Sequence, residues 1–240
     1  AIGPLHWPPL QHFLTGAVFT VTGLSVGLAR MLVLVMSLVW IWALYRLVAE
    51  TFDPSRGLIA AMLALATYTT FLYSNLVMLE VPCLMWVALT MLALGRFIRT
   101  GKSRYIWLCS LCGLAGVLTK QHAAVLIPGL LAGIVAGFER RHWRNPHTYI
   151  APAMGLLLAG VYYWIALSRI TSSLRDLDTA MGSPWPSLYW AAIHLGPVLA
   201  VGGAVGLVGV FTRRRSWLEY ASVGLLVGTL GLFWVAGVKS

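Results

Sequence analysis

The sequence predicts an all-α bundle of membrane-spanning helices, about seven or eight of them, and three observations carry that prediction. Of 240 residues, 59% are hydrophobic and only 10% are charged, and the mean hydropathy is +0.82. A soluble domain carries about 25% charged residues, so this chain cannot cover itself with a water-facing surface. Apolar stretches long enough to cross a bilayer, roughly 17–25 residues each, recur along the whole length. Strand-like alternation of polar and apolar residues is absent. In hydrocarbon every backbone N–H and C=O must be satisfied internally, which here selects helices over a barrel.

The first segment, 1–24, is not a span. After Pro8 and Pro9, Leu10, Phe13, Leu14, Ala17, Val18 and Val21 fall on one helical face, and Gln11, His12, Thr15 and Thr22 fall elsewhere. That is the pattern of a juxtamembrane helix lying in the interface plane. Spans are expected at 25–49, 57–76, 81–98, 105–120, 122–138, 148–168 and 190–211, with an eighth at 217–237. Before the seventh, "SPWPSLYW" (183–190) has the Trp, Tyr and Pro content of another interfacial segment. The whole of 1–240 is expected to form one membrane domain, with spans across 25–237 and no separate soluble unit. It begins at Ala1 and stops soon after a span, and we expect a first span and first outer loop upstream, the chain being cut at both ends.

The formal charge of +10 would suggest nucleic acid were the basic residues not so placed. Twelve of the 17 lie at alternate loops: Arg46, Arg56, Arg96, Arg99, Lys102, Arg104, Arg140, Arg141, Arg144, Arg213, Arg214 and Arg215. Lys and Arg collect on the cytoplasmic side, so the basicity marks topology, and no nucleic-acid partner is expected. This orientation puts 1–24, 77–80, the 120–122 turn and 169–189 on the outer side.

Three cysteines add little: Cys109 and Cys112 form "CSLC" inside a span, where small packing residues are expected. Gly129/Gly133/Gly137, Gly202/Gly206 and Gly224/Gly228 form small-xxx-small ladders, which let helices approach closely.

The informative residues are polar and on the outer side. Among seven acids, Glu50, Asp53 and Glu139 sit in basic loops and Glu219 follows an arginine cluster, so all four are expected to be solvated. Asp176 and Asp178 lie in the long outer loop. Glu80 differs. In "NLVMLEVPCLMW" (75–86) it is a carboxylate packed between apolar residues at a helix start, two positions before Pro82. The helix dipole favours an acid there, but ionisable groups at membrane depth are functional candidates. Lys120 is the second oddity: "GVLTKQHAAVLIP" puts it and His122 in a tight outer turn, where a positive charge either snorkels to lipid head groups or holds an anionic ligand. His6, fixed in direction by Trp7-Pro8-Pro9, could ligate a metal or donate a hydrogen bond.

The order "HWPPL" before an interfacial helix, "MLEVP" opening a span and "LTKQ" ending a later one resembles the GT-C glycosyltransferases. The branch it resembles most is the protein O-mannosyltransferase and aminoarabinose-transferase superfamily of bacterial inner membranes, and "PWPSLYWAAIHLGPVLAVGG" is similar to that family's outer loop and following span. The resemblance implies a multi-pass plasma-membrane enzyme that moves a sugar from polyprenyl phosphate to a lipid, glycan or protein acceptor at the outer face. It implies Glu80 beside the active site, Lys120 facing the donor phosphate, and His6 at a metal- or phosphate-facing position where some members have Glu. The chemistry then expects Glu80 as the base and His122 beside Lys120 on the phosphate. A divalent ion is possible and no organic cofactor is expected. The family usually has Asp where Glu80 stands, and its principal catalytic Asp, in the first outer loop, has no match here and is expected upstream. Trp7, Tyr73, Trp185 and Tyr189 suit sugar stacking or interfacial anchoring. Two other classes stay open. A secondary transporter would place its charges near the midplane, and a membrane scaffold would need none of Glu80, Lys120 or His6.

Overall fold

A computed structural model describes residues 9–66, 79–120, 123, 126–170 and 216–236. The described residues are helical throughout their regular structure: α1 (Leu10–Thr22), α2 (Val26–Thr51), α3 (Pro54–Ala66), α4 (Glu80–Thr100), α5 (Ser103–Thr119), α6 (Leu126–Gly137), α7 (Arg140–Trp143), α8 (His147–Ile170) and α9 (Trp217–Ala236). No strand occurs among them.

Local chemistry sets the helix ends. The Ser25 side chain caps α2 by accepting from the Leu28 N–H at 3.5 Å. Pro54, which needs no N–H partner, opens α3, and the Asp53 carboxylate accepts from the Arg56 N–H at 2.9 Å. Gly101 closes α4 at φ 67°, a left-handed conformation that glycine adopts without steric cost. In α9 the Glu219 carboxylate accepts from the Ser216 N–H at 2.6 Å, so this acid caps a helix start.

Two-residue turns, 52–53 and 101–102, fold α2 with α3 and α4 with α5 into hairpins. The hairpins share a sense, because Glu50 at the end of α2 meets Arg96 and Arg99 at the end of α4. The starts of α2 and α4 and the end of α5 therefore lie at one end of the bundle, opposite the arginines. Helix α4 is the centre: thirteen of its 21 residues are buried, between α2 on one flank and α5 on the other. The outer surface is apolar instead of charged, with Leu34, Leu38 and Trp42 of α2 and Leu156, Leu157 and Trp164 of α8 exposed. Apolar side chains turned outward in this number suit a surface that meets lipid or other protein.

The glycine ladder of α6 serves packing. A Cβ on Gly129 would stand 2.6 Å from Leu225 Cγ, one on Gly137 would stand 2.9 Å from Trp217 Cβ, and Gly224 of α9 lies directly against the Pro128 carbonyl. Cys83, Cys109 and Cys112 are buried free thiols. Gly202 and Gly206 lie outside the described residues.

Two expectations change. Three described helices are long and apolar enough to cross a membrane, Val26–Thr51, Glu80–Thr100 and His147–Ala166, whereas Pro54–Ala66, Ser103–Thr119, Leu126–Gly137 and Trp217–Val227 are apolar but shorter. The described residues thus do not give seven or eight full spans; part of 57–76 and all of 190–211 fall outside them. Helix α5 is held to 17 residues by the Gly101–Lys102 turn and by extended backbone at Lys120, and the described part of α6 is 12 residues long. At about 1.5 Å per residue the latter covers roughly 18 Å.

Glu50 is the second correction. It is not a solvated loop charge, because α2 runs on to Thr51 and turns this carboxylate inward to 17% exposure. Arg46 approaches it at 2.7 Å and Arg96 at 2.6 Å, and Arg99 also pairs with it.

Candidate functional site

At the opposite end, the first turn of α4 and the last residue of α5 bring together the two predicted charged residues. Glu80 is the first residue of α4, and its carboxylate makes no capping hydrogen bond to its own helix. It reaches across to Lys120 instead, whose backbone turns extended at φ −154°, ψ 128° and carries the side chain off the α5 axis. Nζ of Lys120 donates to Oε1 of Glu80 at 2.6 Å, although 40 residues separate them. Lys120 thus turns towards a protein carboxylate. The pair is half-sheltered: the Lys120 side chain is 16% exposed and that of Glu80 33%. Among the described residues Glu80 is the partner of the ammonium, which leaves two of its three N–H donors for a ligand.

His6 and His122 lie outside the described residues, as do Trp7, Tyr73, Asp176, Asp178, Trp185 and Tyr189. Among the described residues no group of three His, Cys, Asp or Glu side chains could hold a metal ion.

Two polar groups were not singled out from the sequence. Trp86 packs on the last turns of α5, where a Cβ on Gly116 would stand 3.3 Å from Trp86 Cβ, and its indole N–H is buried without a partner. Gln11 is the buried residue of α1, 4% exposed, and neither atom of its carboxamide has a partner. The helical position of Gln11, in line with Leu14, Thr15 and Val18, was the available signal, but it says nothing of which face turns inward.

An apolar cleft of about 250 Å³ runs between α5, α6 and α8. Its wall includes Ser110, Gly113, Leu126 and Gly155, and it reaches Val117 and Ala123, three residues either side of Lys120. The Tyr163 hydroxyl donates to the Val117 carbonyl at 3.1 Å and ties α8 to the same end of α5.

The chain matches the family described as dolichyl-phosphate-mannose-protein mannosyltransferase over residues 6–164, a stretch that contains both members of the ion pair and α1. No curated protein and no solved structure matches it. With a match over more than half its length, an all-helical fold and lipid-facing apolar helices, the chain belongs to the dolichyl-phosphate-mannose-protein mannosyltransferase family, membrane glycosyltransferases of the GT-C type.

Proposed function

We propose that this protein is a multi-pass enzyme of the plasma membrane that transfers a sugar from polyprenyl phosphate to a lipid, glycan or protein acceptor at the outer face. The observation that carries this reading is the half-sheltered Glu80–Lys120 pair at the end of the bundle away from the arginines. The family's name supports a lipid-linked sugar as donor.

The donor is a phosphodiester with one negative charge, and the polyprenyl phosphate that leaves carries up to two. An ammonium at this position therefore binds the leaving group more strongly as the bond breaks, and that difference accelerates transfer. The acceptor oxygen or nitrogen bonds to the anomeric carbon while the carbon–phosphate-oxygen bond breaks. The bonding electrons leave with the phosphate, and the acceptor proton passes to Glu80. In the resting pair the Glu80 carboxylate is occupied by Lys120; donor phosphate engaging the ammonium frees it to act as base. His122, two residues after Lys120, would add a second phosphate contact, and His6 would face the same groups or a metal. The cleft that reaches Val117 and Ala123 has the apolar wall that a prenyl chain needs.

Lys120→Met in the full-length protein tests the reading. It keeps the apolar stem and removes the charge, so the variant should insert normally and bind polyprenyl-phosphate mannose about ten- to a hundredfold more weakly, the scale of a charge-assisted contact. Unchanged binding would reject the phosphate role. Sidedness is tested separately. A cysteine replacing exposed His12 should react with a membrane-impermeant thiol reagent from outside, and one replacing Lys102 from the cytoplasm alone; the reverse pattern would move the site to the wrong face.

A further inference from the structure

We infer that Gln11 and the Trp86 indole N–H bind hydroxyl groups of the donor's sugar, so that helix α1 is the wall of the site that reads the sugar. The inference rests on the transfer reading above and deepens it.

The orientation of α1 is the first support. Phe13 and Val21 are exposed, whereas Gln11 points inward ahead of Leu14, Thr15 and Val18. A surface helix whose inward face served only packing would place an apolar residue at that position. This helix instead turns its carboxamide into the protein, with both the Oε1 acceptor and the Nε2 donor unpartnered. Buried polar atoms in native structures are nearly always hydrogen-bonded, so an unpaired set leaves bonding capacity that a ligand or a water can take up.

Location is the second support. Helix α1 packs against α5 and α2, and the three residues 23–25 tie it to the start of α2. That start lies at the same end of the bundle as Lys120. Trp86 flanks the same end of α5: it rests on Gly116, one turn before Lys120, with its indole N–H equally unpartnered. The groups are also chemically matched. A carboxamide offers two donors and an acceptor, and an indole offers one donor. Both are neutral, so they suit hydroxyls better than phosphate, which Lys120 serves, or a prenyl chain, which needs no polar partner.

Binding by the full-length protein in lipid nanodiscs separates these roles, with polyprenyl-phosphate mannose and the sugar-free polyprenyl phosphate as probes. Gln11→Leu, and Trp86→Phe as a milder variant that keeps the ring and removes the N–H, should each weaken the mannose-bearing lipid about tenfold, the equivalent of one lost hydrogen bond. Both should leave the sugar-free lipid within about twofold. Equal weakening of both lipids, or no change in either with Gln11→Leu merely raising thermal stability, would overturn the assignment. Should Gln11→Leu fail to fold, the same contrast is read on Trp86→Phe. Lys120→Met run alongside should weaken both lipids; if it weakens neither, the phosphate reading falls, while a sugar-dependent loss at Gln11 or Trp86 still upholds this inference.

Discussion

Glu80→Gln in the full-length protein should leave donor binding unchanged or slightly tighter and slow transfer about 10²- to 10⁴-fold, the usual contribution of a positioned general base. The amide oxygen can still accept from Lys120 where the carboxylate does at 2.6 Å, so the turn that holds the lysine should keep its geometry. Removing the negative charge beside the ammonium favours an incoming phosphate, which is why affinity should not fall. The amide cannot take a proton from the acceptor, so the loss should fall on turnover. Paired with Lys120→Met, the two substitutions divide the labour: one variant binds without transferring, the other binds poorly and also loses the charge that stabilises the departing phosphate. Full turnover in Glu80→Gln would leave the pair as a strap between α4 and α5 and would remove Glu80 from the chemistry. A drop in the amount of folded protein would also make the pair a strap, and thermal unfolding of the variant distinguishes that case.

The Glu80–Lys120 pairing was half legible in the sequence. Each residue is a charge in an apolar context at the end of a predicted span, and the placing of the basic loops put both ends on one side. Contact between them needed the fold, because it depends on α4 and α5 packing as a hairpin and on extended backbone at Lys120. The glycine ladder of α6 was legible as a packing face, but its partner, α9, is some ninety residues away and carries no mark that names it. The burial of Gln11 was hidden for a physical reason. Periodicity sorts polar from apolar faces, and near a membrane the apolar face turns to lipid, so the usual equation of polar with outward fails.

Glu50 carries the second large effect, on stability. Apolar composition ends the span at residue 49, two residues short of where α2 stops, and two of the partners that shelter this carboxylate are 46 and 49 residues distant. Glu50→Gln should lower the unfolding free energy by about 2–4 kcal/mol. Removing one partner of a fully buried pair costs about 3–5 kcal/mol, and the figure is reduced here because Arg46 is 44% and Arg99 34% exposed. The loss has two parts: the α2–α4 tie at Arg96 weakens, and three guanidinium groups are left facing one another without a counter-charge. A second substitution separates them. Adding Arg96→Leu to Glu50→Gln removes one of the repelling cations, so the double variant should be less destabilised than the sum of the two single ones. Thermal unfolding of all four proteins in one detergent reads the cycle. Strict additivity would show that the arginines reach water on their own and that the cluster at this end of the bundle contributes little to holding α2 on α4.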